Sequence, residues 1–283
     1  MIPTAIREYI KPTSIQEAWA VLMERGLSAK PMGGGIDVGL YATPDLRIVV
    51  DLGGLELSYV RGEDELDIGA TTTFAEMIES SRVGGYLDGI LVEILEKVAS
   101  PLQRNLATVG GTLGSAHPWS DVIPALLALD AQVVVYHERR QTLPLAEYFA
   151  IRAQGERPLI TEIRLPRAPV MSACGFEEYS KTAFDVAILN CACFVELEAD
   201  RCKTARIAIG GTPAMAARRP TVEESLTGAR LDGEAIDRVA EIAERSIDAR
   251  DDRRATAAYR RHLARVGVSR CLRRIARKLE TMG

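Results

Sequence analysis

The sequence is poor in the features that most readily announce a function. Its 35 Lys and Arg stand against 39 Asp and Glu, a formal net charge of only −4 over 283 residues. That balance gives no global reason to expect nucleic acid or an anionic membrane surface as partner. An anionic ligand would have to be held by local geometry. No apolar run approaches the ~20 residues of a membrane-crossing helix, and "MIPTAIREYIKPTS" lacks the basic-then-apolar order of a secretory leader. The five cysteines, at 174, 191, 193, 202 and 271, form no C-x-x-C pair. Cys191 and Cys193 stand two apart in a strand-like run, which points both to one face and to core packing rather than metal ligation. An odd cysteine count without a leader argues for a reducing cytoplasm. Repeats and low-complexity segments are also absent.

What is present suits a soluble α+β protein of two domains, since 283 residues exceed the usual single core. "SIQEAWAVLMERG" reads as a helix with Ser14 as N-cap, Glu17 completing a capping box and Gly26 as stop. "SAKPM" leads into "GGGIDVGL", and "LRIVVDLGGL" supplies a β-branched strand. From about residue 56 short strands appear, "LSYVRG" and "ELDIGATTT", followed by the helical "FAEMIES" and "YLDGILVEILEKVAS". "DVIPALLALDAQVVVYHE" reads as a helix capped by Ser120 or Asp121 and then a strand, and "PLITEIRLP" closes the region before Pro166 and Pro169. Beyond them, "GFEEYS", "AILNCACFVELEA" and "TARIAIGGTPAMAARRP" alternate like an antiparallel sheet, and helices run to the C-terminus. The basic run "YRRHLARVGVSRCLRRIARK" keeps its apolar residues at helical spacing and so reads as an amphipathic helix docking on its own domain or a partner, not as an RNA-binding arm. The expected division is residues 1–170, in subdomains of about 1–55 and 56–170, followed by 171–283.

Two glycine segments carry the functional signal: Gly33-Gly34-Gly35 and Gly110-Gly111. Glycine lets backbone N–H groups turn together into an anion-binding nest. Neither segment continues into Gly-Lys-Ser/Thr, and neither fits G-x-G-x-x-G: "GGGIDVG" is expected to have no helix directly after it, and "GGTLGS" to run into polar loop. ATP and a Rossmann-bound NAD are therefore poor candidates. Two loops converging on one long ligand suit a dinucleotide. Thr108, Thr112, Ser115 and Ser120 add hydroxyls. Asp121, acceptor-only when ionised, suits a sugar hydroxyl or caps the helix that follows. Ser115, His117 and Asp121 crowd into seven loop residues with no G-x-S-x-G, which rules against a catalytic triad. His117 reads as a solvated loop residue or as a neighbour of the ligand, His137 and His262 read as surface residues, and Trp119 as a packing residue closing the second loop or a group stacking on the ligand.

These segments resemble a known family. "KPMGGGIDVGL" is similar to the first flavin loop of the FAD-binding medium subunit of molybdenum hydroxylases, the group of xanthine dehydrogenase and carbon monoxide dehydrogenase. "TVGGTLGSAHPWSD" resembles the second loop, T-[VI]-G-G-N, small residues, then P-x-S-D. "LITEIRLP" resembles the strand closing the FAD domain; "ARIAIGGTPAMAARRPTVEESLTG" and "YRRHLARVGVSRCLRRI" resemble the C-terminal domain.

The resemblance implies a PCMH-type FAD domain of two subdomains, followed by a C-terminal antiparallel sheet and helical bundle. It implies that Lys30, Pro31, Met32, Gly33, Gly34, Gly35, Ile36, Asp37 and Val38 wrap the pyrophosphate and ribityl through backbone groups. Thr108, Gly110, Gly111, Thr112 and Ser115 would contribute from the second loop, and Asp121 would bond hydroxyls of FAD. Val98 and Ile160 would touch the rings. Lys181, in "EEYSKTAFDVA", stands a few residues from where the family carries a lysine, and reads either as a flavin contact or as a surface lysine. Thr112 replaces the family's usual Asn. No catalytic acid or base and no metal ligand is expected in this chain. It would take electrons from iron–sulfur clusters and pass them to an external acceptor. A molybdopterin-binding large subunit and a [2Fe–2S] small subunit would be its partners. The alternatives are a free-standing FAD-dependent reductase or oxidase, and an assembly subunit that has lost FAD.

Overall fold

A computed structural model describes residues 6–282. The chain divides into two compact units interleaved in sequence. The first comprises the residues through Val83, with Ser100–Ser115 and Gln132–Leu165; the second comprises Gly84–Ala99, Ala116–Ala131 and the residues from Pro166 onward. The last segment of the first unit ends at Leu165. The excursions 84–99 and 116–131 were not foreseen, because apolar helices inside a continuous stretch carry no mark of which sheet they will cover.

In the first unit, strands β1 (Glu8–Ile10), β2 (Ala29–Met32) and β3 (Ile48–Asp51) form a parallel sheet of order β1-β3-β2. The helix Ile15–Arg25 returns the chain between β1 and β2. Ser14 accepts from the Glu17 N–H, while the Glu17 carboxylate bonds Thr13 rather than Ser14, so the capping box is only half closed. Gly26 ends the helix at φ 55°. Its apolar stripe, Ala18 and Leu22, packs on Ala29, Ile48 and Val50. A second sheet joins β4 (Val60–Arg61), β5 (Leu66–Gly69), β6 (Gln132–His137), β7 (Arg139–Pro144) and β8 (Leu159–Leu165) in the antiparallel order β4-β5-β8-β6-β7. Strand β7, "RRQTLP", escapes sequence reading because it is a polar edge strand with one side open, where alternation is not enforced.

In the second unit, β9 (Ser172–Tyr179), β10 (Leu189–Glu198), β11 (Arg201–Gly210) and β12 (Ala217–Arg218) form an antiparallel sheet of order β12-β11-β10-β9. Its two faces follow from the two-residue period of a strand. Cys191, Cys193, Val195, Ile207 and Ile209 pack against Val239, Leu263, Val268, Cys271, Leu272 and Ile275 of the helices Gly233–Ser246 and Ala257–Met282. The cysteines are thus core residues, as expected, and the basic C-terminal helix docks on its own sheet. On the other face, Asn190, Phe194 and Arg206 receive the segment 116–131. Arg206 lies 4.1 Å over the Phe194 ring and donates from Nε to the Ala128 carbonyl at 2.7 Å.

Arg260 of the C-terminal helix is only 2% exposed. It spends its fork on the Ile188, Gly211, Arg250 and Ala255 carbonyls and on both carboxylate oxygens of Asp252. A buried guanidinium is tolerable only when its donors are met in this way. The result ties the starts and ends of three elements together.

Candidate functional site

The first glycine segment sits in the first unit, between β2 and a helix spanning Ile36–Tyr41. That helix begins directly after the glycines, contrary to the sequence expectation. Gly35 takes the left-handed conformation at φ 82° as its N-cap, which turns the chain from strand to helix in one residue. Among the described residues, no acceptor meets the N–H groups of Gly33, Gly34 or Gly35. All three residues are only partly buried. Unbonded main-chain donors at a bend are what an anion nest requires. Lys30 and Asp37, the charged groups of the segment, are ion-paired with each other. The pairing offsets the negative charge that Asp37 would otherwise present to an anion.

The reason for the glycines is nonetheless partly internal. A Cβ on Gly34 would lie 1.5 Å from the Leu106 carbonyl oxygen, and one on Gly33 would lie 2.5 Å from the Thr108 hydroxyl. Residues 106–108 of the same chain therefore occupy the space that side chains at 33 and 34 would need. The absence of side chains there does not by itself demand a ligand.

The second segment corrects the sequence reading more strongly. Val109–Ser115 is a helix, not a polar loop, and Gly110 and Gly111 lie in its first turn. All of its leading donors are used. Val109 N–H donates to the Thr72 carbonyl at 3.1 Å, Gly110 to the Ala70 carbonyl at 2.9 Å and Thr112 to the Thr108 carbonyl at 2.9 Å. Gly111 N–H donates to the Thr108 hydroxyl at 3.1 Å, so Thr108 is the helix N-cap. A Cβ on Gly110 would lie 2.6 Å from the Ala70 carbonyl oxygen. The helix accepts glycines, at ~1 kcal/mol each relative to Ala, to let that strand-end backbone approach. Gly110 and Gly111 therefore form no nest. What this segment offers a ligand is surface: Gly111 is exposed, and Thr112 and Ser115 are partly exposed.

Asp121 lies in the second unit. It occupies the N-cap position of the helix Val122–Ala128 but makes no cap hydrogen bond, and neither does Ser120. The Asp121 carboxylate instead accepts from Asn190 Nδ2 at 2.7 Å. Burial and the neighbouring Glu178 carboxylate push its pKa up to about 7, with the Asn190 bond and Lys97 opposing. His117 and Trp119 stack at 4.7 Å, consistent with Trp119 as a packing residue.

The remaining candidates are placed as follows. Pro31 and Met32 end β2, and Val38 is buried in the Ile36–Tyr41 helix against Leu46 and Val49. Ile160 is buried in β8, opposite Val135. Val98 caps the C-terminus of the helix Ile90–Lys97 and is partly buried. Lys181 is exposed on the turn between β9 and β10. Sequence reasoning passed over Leu106, Asn190 and Arg260. Asn190 and Arg260 each stand in an apolar or amphipathic run where one polar residue carries no distinguishing signal.

Fold and bend together describe an α+β protein with a glycine turn whose main-chain donors are unclaimed among the described residues. Comparison with known proteins makes this specific. Residues 4–168 match the family described as the FAD binding domain in molybdopterin dehydrogenase, and residues 175–275 the CO dehydrogenase flavoprotein C-terminal domain. The chain is 30% identical, over 94% of its length and 93% of the relative's, to the 6-hydroxypseudooxynicotine dehydrogenase complex subunit alpha of Paenarthrobacter nicotinovorans. It is also 30% identical to the carbon monoxide dehydrogenase medium chain of Afipia carboxidovorans, over 97% and 98% of the two chains. A chain of the cyanide-inactivated Cu,Mo-CO dehydrogenase superposes with a TM-score of 0.87 at 28% identity, covering 98% of this chain and 100% of that one. The chain belongs to the FAD-binding medium-subunit family of the molybdenum hydroxylases, which are oxidoreductases.

Proposed function

We propose that this chain is the electron-transfer flavoprotein of a multi-subunit molybdenum hydroxylase. In this role it receives electrons from iron–sulfur clusters on a small partner subunit and delivers them to an external acceptor, while a molybdopterin-binding large subunit oxidises the substrate. The observation that carries the reading is the Gly33–Gly35 bend, whose unbonded N–H groups suit a diphosphate. Bound FAD would collect electrons delivered singly by the clusters and hold them for the external acceptor.

The protein's own task is binding and orientation. Each N–H bond to a charged oxygen contributes about 1.5–3 kcal/mol net, so Gly33, Gly34 and Gly35 suffice to hold a diphosphate without a lysine cluster. Ile36 follows as the first helical residue, while the Lys30–Asp37 pair keeps the bend near neutral. Gly111, Thr112 and Ser115 add surface and hydroxyls, whereas the Thr108 hydroxyl is spent on its own helix. Asp121 is the hydroxyl acceptor of this reading, Val98 and Ile160 its apolar contacts, and Lys181 its outlying contact.

Purification of the full chain with its neighbours tests the proposal. Flavin absorbance together with co-purifying iron–sulfur and molybdopterin chains is expected. A colourless preparation that takes up no added FAD would overturn it. A flavin-loaded chain that purifies alone and turns over a substrate directly would replace it with the free-standing enzyme.

A further inference from the structure

Asn190 is 0% exposed, yet it sits in a strand whose neighbours on the same face are Ala192 and Phe194. A carboxamide in such a place needs a reason. Its Nδ2 lies 2.7 Å from Asp121 Oδ1, 3.1 Å from the Ser120 carbonyl and 3.4 Å from the Trp119 carbonyl. Three acceptors around one NH2 group fix the amide's orientation, because the flipped rotamer would set Oδ1 against three oxygens. That orientation leaves Oδ1 buried and without a hydrogen-bond partner. It points over Gly210, where a Cβ would lie 2.4 Å away. An orphaned buried acceptor is destabilising, and so is the glycine needed to make room for it in a strand. Both accompany the aiming of one NH2 group at the Trp119–Asp121 turn. The next strand adds a second tie, from Gly211 N–H to the Pro118 carbonyl at 2.8 Å, and Arg260 in turn holds the Gly211 carbonyl at 3.1 Å.

We propose that Asn190 is a positioning residue for the flavin nucleotide, acting through Asp121: its carboxamide fixes the carboxylate in the orientation that accepts a hydroxyl of the ligand. The proposal rests on the flavin reading above and deepens it. A bare structural anchor would need only the backbone carbonyls of 119 and 120. The shortest of the three contacts, however, goes to the side chain of Asp121, whose helix-capping role the structure leaves unused.

The test is a double-mutant cycle on FAD affinity, measured by flavin fluorescence on the full-length chain as it purifies with its partners. Asn190→Ala and Asp121→Ala should each weaken FAD by about 10- to 100-fold, the range for one hydrogen bond to a charged group. The double variant should be no weaker than Asp121→Ala alone, since coupled residues do not add. Asn190→Leu, which keeps the branched shape and the packing, should repeat the result if the alanine variant folds poorly. The pH profile supplies a readout that a structural anchor would not move. Asp121 faces Asn190 on β10, Glu178 on β9 and Lys97 on the Ile90–Lys97 helix. Removing the Asn190 donor should shift the midpoint of the FAD-affinity profile to higher pH. Strictly additive losses, or an unmoved midpoint, would overturn the proposal while leaving the flavin reading intact. A wild-type chain that takes up no FAD would overturn both.

Discussion

The two glycine segments look alike in sequence and are opposites in structure. At Gly33–Gly35 the chain leaves a parallel strand, turns through one left-handed residue and enters a helix with its N–H groups unclaimed. At Gly110–Gly111 it is already helical, and strand-end carbonyls and the Thr108 hydroxyl consume every leading donor. Glycine serves close approach in both places, since Leu106 and Ala70 crowd them. Only the first also leaves hydrogen-bonding capacity over. Close approach and spare hydrogen-bonding capacity are therefore separable properties of the same residue type, and a count of glycines cannot tell them apart.

The comparison breaks most severely at Gly34→Ala. A Cβ placed 1.5 Å from the Leu106 carbonyl oxygen cannot be relieved by a rotamer change, so the two backbones must part. A loss of more than about 4 kcal/mol is expected, in the range reserved for overpacking with backbone displacement. Thermal unfolding checks this. A variant of wild-type stability would mean that residues 106–108 do not lie against the bend.

Asp121 yields the next effect and a pH signature. Its folded pKa of about 7 stands above the ordinary carboxylate value near 4. Between those values the folded chain holds a proton that the unfolded chain has lost, so this group's contribution to stability falls as pH rises from about 4 to 7. It is flat outside that window. Asp121→Asn removes the penalty and should stabilise the FAD-free chain by on the order of 2 kcal/mol at pH 8, and by almost nothing at pH 4.5. Paired melts at the two pH values decide it; equal gains at both would refute the raised pKa. Added FAD should narrow the difference at pH 8, because a ligand hydroxyl would solvate the carboxylate.

Much of the architecture was legible because burial enforced a period. β10 is buried on both faces from Leu189 to Val195 and reads as a near-continuous apolar run, and the C-terminal helix keeps an apolar stripe under its arginines because the sheet demands one. Legibility failed where no period was enforced. β7 is an open edge, and the second glycine segment becomes helical only because Ala70, Thr72 and Thr108 take its donors, a partnership written nowhere near residue 110. The assignment of 84–99 and 116–131 to the second unit was illegible for a related reason: apolar faces show that a helix is covered but not by what. For the site, the motif resemblance named the segments. Which backbone groups remain available, and that Asn190 holds Asp121, could be read only from three-dimensional partners.

Gly35→Ala probes the open bend directly. Its φ of 82° costs a side-chain-bearing residue about 1–2 kcal/mol, and the space around it is bounded only by the flexible Met32 thioether at 3.3 Å. The chain should fold, but with the turn and its N–H groups displaced. FAD affinity should then fall by about 10-fold, equivalent to one lost bond to a charged oxygen. Equilibrium titration with FAD checks it, and undiminished affinity would remove the bend from the site.

The smallest effect sharpens the contrast most. Thr108→Val keeps the shape of the side chain and deletes the hydroxyl that accepts from Gly111 N–H. If that hydroxyl is a helix cap, stability should drop by about 1 kcal/mol while FAD affinity stays within about threefold of wild type, well short of the tenfold that one charged hydrogen bond represents. If instead the hydroxyl serves a phosphate, the order reverses, with little change in melting and a large loss of FAD. Because Thr108 also lies where a side chain on Gly33 would be, the same substitution tests whether the first bend leans on the second segment for its shape. A fall in FAD affinity that parallels the fall in stability would show that the closed segment serves the open one as a wall, without lending it a donor.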